Sequence, residues 1–152
     1  MKQFKHKTLL ARASMMLLAM LCFLGGARAQ QTLPYEYGFE NNDLAAEGWT
    51  AQITSSSSGI YNAGSSTAHG GTYLFRFNYS ETNAYLVSPL LTGGTYGVDV
   101  SFWYAEYSSS YGDENFQVGY TTDETVTDPS LFTYGDVIVA STSWQQDRKS
   151  VV

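Results

Sequence analysis

The sequence predicts an all-β domain, an antiparallel β-sandwich, exported behind a cleavable leader. Three observations carry this. Apolar periodicity is two rather than the helical ~3.6 wherever it is clear, and clusters of Gly, Ser, Asn and Asp bound each short run. Charge and composition also change abruptly between Ala29 and Gln30.

The elements follow in order. Weak strand signals lie at 35–40 and 49–53. Tyr73-Leu74-Phe75-Arg76-Phe77-Asn78-Tyr79 then places aromatics on one face and Leu, Arg and Asn on the other. A weak strand at 84–88 precedes the clearest alternation, in which Val98, Val100, Phe102 and Tyr104 interleave with Asp99, Ser101 and Trp103. Phe116, Val118 and Tyr120 interleave with Gln117, Gly119 and Thr121, and 136–141 gives a last weak strand. Helical signal is confined to Asp128-Pro129-Ser130-Leu131-Phe132, where Asp caps and Pro takes the first position of one turn. Serine-rich stretches at 55–59 and 108–112 are too short for linkers and read as exposed loops. Phe75, Phe77, Phe102, Tyr104, Phe116 and Val118 are expected to fill the space between two sheets ~10 Å apart. Trp49 and Trp103 lie off that register, at an edge or partly exposed.

Before Gln30 stand Lys2, Lys5, Lys7, Arg12 and Arg28, no acid, and an apolar run from Met15 to Leu24. A charged start, an apolar core too short for a bilayer and the small-x-small site Ala27-Arg28-Ala29 define a secretory signal over 1–29. A transmembrane anchor is the rival, but Gly25, Gly26 and Arg28 close the apolar run early. Cys22, the single cysteine, falls inside the leader, so the mature chain has neither disulfides nor a thiolate. The small residue a lipidation signal wants just before that cysteine is replaced by Leu21. The expected location is secreted or cell-surface, with no membrane insertion after cleavage.

The mature span 31–146 holds 116 positions, enough for one domain with a core but not for two. Thirteen acids against the single base Arg76 give it a net charge of 1 − 13 = −12. Such a surface repels phosphate backbones and anionic lipid, and suits divalent cations, basic protein patches or neutral glycans. All twelve Tyr, all three Trp and six Phe follow the leader, so the span is not a disordered acidic tail. The closing residues Asp147-Arg148-Lys149-Ser150-Val151-Val152 restore two bases. They resemble a translated sequencing-adapter oligonucleotide, and the expectation is a non-native tail at 147–152 with the natural chain continuing past Gln146. A genuine basic terminus is the alternative.

A hydrolase needs a nucleophile, a base and an orienting group within reach. The mature span has one histidine, His69, in a Gly-rich loop, and Gly64-Ser65-Ser66-Thr67-Ala68 lacks the closing glycine of a nucleophile elbow. Adjacent acids such as Asp113-Glu114 or Asp123-Glu124 point to opposite faces of a strand and do not present two carboxyls to one substrate. A non-catalytic role is expected. A hard-cation site is the more natural reading of Glu40-Asn41-Asn42-Asp43 and Asp113-Glu114-Asn115, which gather oxygen ligands of the kind calcium takes. Two solvated acidic turns explain the same residues equally well.

Five ordered segments point further: Tyr37-Gly38-Phe39-Glu40 with Gly48-Trp49, then His69-Gly70-Gly71-Thr72-Tyr73, then Tyr85-Leu86-Val87-Ser88-Pro89, then Val100-Ser101-Phe102-Trp103-Tyr104, and Glu114 to Thr122 running on to Asp128-Pro129 and Phe132. The series resembles the cleaved-adhesin domain, the module repeated in gingipain haemagglutinin regions and other secreted bacterial surface proteins. That resemblance implies a jelly-roll β-sandwich similar to MAM domains over 30–146, with its C-terminal strands missing after Trp144-Gln145-Gln146. It also implies calcium held by Glu40 and Glu114, with Asp43 and Asp113 as looser ligands. The function it implies is adhesion to, or recognition of, extracellular protein or glycan, with no nucleic-acid partner. An accessory carbohydrate-binding domain of a secreted glycosidase or protease is the alternative. Trp49, Trp103, Tyr107 and Tyr111 are the candidate ligand-binding aromatics, since an exposed Trp flanked by Tyr offers a stacking surface to a sugar, although packing in the core or at its rim is the commoner fate of such a Trp.

Overall fold

The computed structural model describes residues 29–112 and 114–151, without the side chain of Tyr111. The leader before Ala29, Asp113 and the Tyr111 side chain therefore lie outside the described residues. What is described is all-β, with twelve short strands and two single turns of 3₁₀ helix. In order these are β1 (Gln30–Thr32), β2 (Thr50–Gln52), β3 (Gly59–Asn62), β4 (Tyr73–Arg76), β5 (Tyr85–Val87), β6 (Leu90–Thr92) and β7 (Val98–Tyr104). Then come β8 (Asn115–Phe116), β9 (Gly119–Tyr120), β10 (Thr133–Tyr134), β11 (Ile138–Val139) and β12 (Gln145–Val151).

The strands pair two by two. β2 with β5, β3 with β4, β7 with β12, β8 with β11 and β9 with β10 are antiparallel, and β1 with β6 is parallel. Period-two patterning sets the faces. Along β7 the half-buried positions are Val98, Val100, Phe102 and Tyr104, and the exposed ones Asp99, Ser101 and Trp103, as the alternation requires. The turn at Pro129–Leu131 also forms as its sequence dictates, with the Asp128 carboxylate accepting from the Ser130 amide and Pro at the first position.

Two clusters of rings provide the apolar interior. Phe102, Tyr104 and Phe116 meet with centroids 5.0–6.1 Å apart. Tyr37, Phe39, Trp49, Phe75 and Phe77 form the other, linked by contacts of 4.8–6.1 Å. Among the described residues no large side chain is fully buried, so this interior is shared between half-buried rings rather than closed over.

Several expectations need correction. Residues 35–40 form no ladder. Their burial still alternates, with Tyr35, Tyr37 and Phe39 half-buried, but Phe39 turns to φ 65° and Asn42 to φ 54°, which closes a turn from the Asn42 N–H to the Phe39 carbonyl at 3.0 Å. Phe77 follows the end of β4 at Arg76 and is 45% exposed, at the rim of its cluster. Along β4 itself all four residues are half-buried, without the expected alternation. The expected strand through 116–121 divides at Gln117 and Val118: Phe116 pairs with Ile138, whereas Gly119 pairs with Tyr134. Gly135 holds the switch, donating its N–H to Val118 at 3.0 Å and accepting from the Gln117 amide at 2.8 Å.

β12 completes the longest ladder with an unusual inner face. Opposite Tyr104, Phe102 and Val100 it sets Gln145, Asp147 and Lys149. The Lys149 ammonium lies 3.1 Å from one Asp147 oxygen, as a hydrogen bond, and 3.0 Å from the other, where the alignment is too poor for one. Gln145 Oε1 is buried with no partner. Unpaired buried oxygens cost free energy, and a charged pair against Phe102 gains little from its attraction.

Candidate functional site

The site is organised by a carboxylate that holds a glycine loop. The turn closed by Phe39 and Asn42 presents Glu40 beside the segment leading into β4. Glu40 accepts the Thr72 N–H at 2.9 and 3.1 Å on its two oxygens, and the Tyr73 N–H at 2.9 Å. Gly71, at φ 71°, passes so close to that carboxylate that a Cβ there would collide with it. The loop is tied at its base as well, since the Ala63 and Gly64 amides both donate to the Thr72 carbonyl, at 3.0 and 3.2 Å.

Within this loop the Thr67 and Ala68 amides turn back onto the Gly64 carbonyl, and Ala68 is buried at 8% exposure. That turn lays His69 flat on Trp103, with centroids 3.8 Å apart and planes 16° from parallel. Trp144 closes the group edge-on to His69 at 5.7 Å and 71°, and its indole N–H donates to the Thr67 carbonyl at 3.0 Å. Trp103 remains 44% exposed. On the same outer face of the β7–β12 ribbon, Gln146 stands opposite Trp103 and Arg148 opposite Ser101. Arg148 is paired with Asp99 at 2.7 Å, and Ser150 donates to the same carboxylate at 2.5 Å. Those bonds hold the Asp99 carboxyl below its usual range, with the Ser150 hydroxyl first and the Arg148 guanidinium next. The result is a partly exposed aromatic surface with a polar rim whose charges are already paired.

Of the other candidate aromatics, Trp49 and Tyr107 do not join it, and the Tyr111 side chain lies outside the described residues. Trp49 donates its indole N–H to the Tyr35 hydroxyl at 2.8 Å and stacks on Tyr37 at 5.8 Å, so it belongs to an interior cluster. It also borders a cavity of about 300 Å³ lined with Ala29, Gly48, Ser88, Pro89 and Leu90. Tyr107 is 86% exposed.

The candidate metal ligands stand apart. Both Glu40 oxygens accept backbone amides, and Asp43 caps the Ala46 N–H at 3.0 Å. Glu114 is exposed, and its carbonyl accepts the Ala140 N–H at 2.9 Å. Among the described residues no three acidic or histidine side chains converge, so Glu40, Asp43 and Glu114 do not by themselves fit a calcium ion. The calcium reading rests on the resemblance.

A second carboxylate performs a purely local task. Glu81 draws the 54–58 loop around itself, accepting from the Ser58 hydroxyl at 2.6 Å, the Thr54 hydroxyl at 2.7 Å and the Ser55 amide at 2.8 Å. The Ser58 bond, with further help from Thr54 and Ser55, lowers the Glu81 carboxyl to about 2 against the opposing effect of burial. Arg76 serves the same loop, donating twice to the Ser57 carbonyl while its guanidinium lies 3.9 Å above the Tyr61 ring.

Trp144 is the functional candidate that the sequence did not expose, and His69, noted there only as a loop histidine, was not linked to Trp103. They are distant in the chain, and spacing carries no sign that loop, β7 and the approach to β12 converge. In comparisons with known proteins, no family model, curated protein or solved structure matches this chain.

Proposed function

We propose that this chain is a non-catalytic recognition module of an exported protein, a jelly-roll sandwich of the cleaved-adhesin kind. Its ligand surface is the Trp103–His69–Trp144 group. The observation that carries the proposal is Trp103, stacked on His69 yet 44% exposed. A rigid indole backed by a second ring offers a preformed face to the C–H surface of a sugar, and Gln146 across the ladder supplies an amide for its hydroxyls. The rim has no free base to select an anion: within 30–146 the one base, Arg76, is engaged by the Ser57 carbonyl, and Arg148, in the segment read as a non-native tail, is engaged by Asp99. A neutral glycan suits this chemistry best, and it also suits the strongly acidic remainder of the mature span.

An accessory carbohydrate-binding domain attached to a secreted enzyme would use the same surface, so the two readings differ in what accompanies the module. The test is a neutral oligosaccharide panel presented to the exported protein, with Trp fluorescence as the readout. Saturable binding of at least one neutral glycan supports the proposal, and binding confined to protein ligands or absent altogether refutes it.

A further inference from the structure

We propose that the exported chain begins at Gln30 and that this residue is closed to pyroglutamate, seated at the mouth of the cavity beside Trp49. The inference takes its starting point from the export reading and is independent of the recognition surface. Cleavage after Ala27-Arg28-Ala29 leaves glutamine at the amino terminus. A terminal glutamine can attack its own side chain. The α-amine forms a bond to Cδ, the Cδ–Nε2 bond breaks, and the amide nitrogen leaves as ammonia carrying a proton from the amine. Atoms and charge balance without oxidant or cofactor, and the product is an uncharged five-membered lactam.

The fold gives that closure a reason. Gln30 is exposed and opens β1, in register with Leu90, so its side chain is free to bend back while its backbone is held. The peptide bond that cleavage breaks lies at the cavity of about 300 Å³ lined by Ala29, Gly48, Trp49, Pro89 and Leu90. The Ala29 carbonyl accepts the Leu90 N–H at 3.2 Å, and Ala29 packs so tightly on Gly48 that a Cβ at Gly48 would strike it. Removing Ala29 therefore widens the cavity, strips Leu90 of its acceptor and would leave an ammonium beside Leu90 at the edge of that lining. Among the described residues no acid lines the cavity to pair with such a charge. The lactam carries no charge and keeps an N–H and a carbonyl, so it fits the same place.

The experiment exports the full chain with its own leader and reads the terminal peptide by mass spectrometry from promptly quenched samples. The expected terminus is residue 30, lighter than open glutamine by one ammonia. Gln30→Asn, whose α-amine could close only to a strained four-membered ring, should begin at the same residue with its α-amine open. Pyroglutamyl peptidase should leave the wild-type terminus intact while the protein is folded and remove it after denaturation. An open Gln30, or cleavage at another bond, overturns the proposal, and equal removal from folded and denatured protein overturns the seat.

Discussion

Replacing Gly71 by alanine should destabilise the domain more than the same change at Gly64, and the difference isolates the Glu40 contact. Gly71 sits at φ 71°, and a Cβ there would run into the Glu40 carboxylate. Two costs combine. Holding alanine in left-handed backbone costs ~1–2 kcal/mol. Pushing the carboxylate off the Thr72 and Tyr73 amides removes two solvent-exposed hydrogen bonds, ~1 kcal/mol each and together ~2 kcal/mol. The sum is roughly 3–4 kcal/mol. Gly64, at φ 73°, has nothing within 4 Å of its Cβ position, so alanine there carries the backbone cost alone. Gly70 has open space and ordinary backbone, and alanine should be neutral or slightly stabilising. Urea unfolding at neutral pH should rank the losses Gly71→Ala, then Gly64→Ala, then Gly70→Ala. In a Glu40→Ala background the Gly71→Ala penalty should shrink to that of Gly64→Ala, since both changes act through one carboxylate. Equal penalties at Gly71 and Gly64, or a Gly71 penalty untouched by Glu40→Ala, would refute the reasoning.

Three other perturbations probe different parts of the fold. The Glu81 carboxyl lies at about 2 in the folded chain against an ordinary 4.5, so its stabilisation is present above pH 4.5 and is lost as pH falls toward 2. Glu81→Gln should flatten the acid limb of urea stability in that window, leaving the part due to Asp99, Asp123 and Asp128, whose carboxyls are also held low; an unchanged slope contradicts the assignment. Replacing Asp147 and Lys149 together by valine puts apolar side chains opposite Phe102 and Val100 and should raise stability by ~1 kcal/mol, whereas Asp147→Val alone strands the ammonium and should gain less. A double variant less stable than wild type would show that the charged pair holds the ladder. Calcium binding, as the family resemblance implies it, predicts a domain stabilised over chelator by ~2–3 kcal/mol at a hundredfold excess over the dissociation constant, read as a higher melting temperature, with the gain abolished by Glu40→Gln. Identical melting in calcium and chelator removes the assignment.

What the sequence disclosed is what is local. β7 was legible because seven residues alternate without interruption, and the Asp128–Pro129 turn because a cap and a proline act within two residues of themselves. The 35–40 segment misled because its alternation is real and its side chains do bury alternately, while the backbone turns at Phe39 before any ladder forms. The division of 116–121 depends on a change of partner from β11 to β10, which nothing within that run can announce. The site was half legible. Trp103 falls on the outward side of β7 and could be read as exposed, but its stack with His69 depends on a loop held by Glu40, far away in sequence. Glu40 was singled out as a metal ligand because Glu40-Asn41-Asn42-Asp43 gathers oxygen ligands and the family resemblance implies calcium there, and only the fold brings the Thr72 and Tyr73 amides to it.

The most direct test of the recognition proposal is calorimetric titration of the protein with a neutral oligosaccharide that it binds, repeated for Trp103→Ala and Trp49→Phe. Trp103 lies on the exposed stack and Trp49 in an interior cluster, so the two changes separate a ligand surface from a packing role. The expectation is a loss of roughly tenfold or more in affinity for Trp103→Ala, of the size an aromatic stacking contact contributes, with folding retained. Trp49→Phe should bind as wild type. Undiminished binding by folded Trp103→Ala would contradict the proposal.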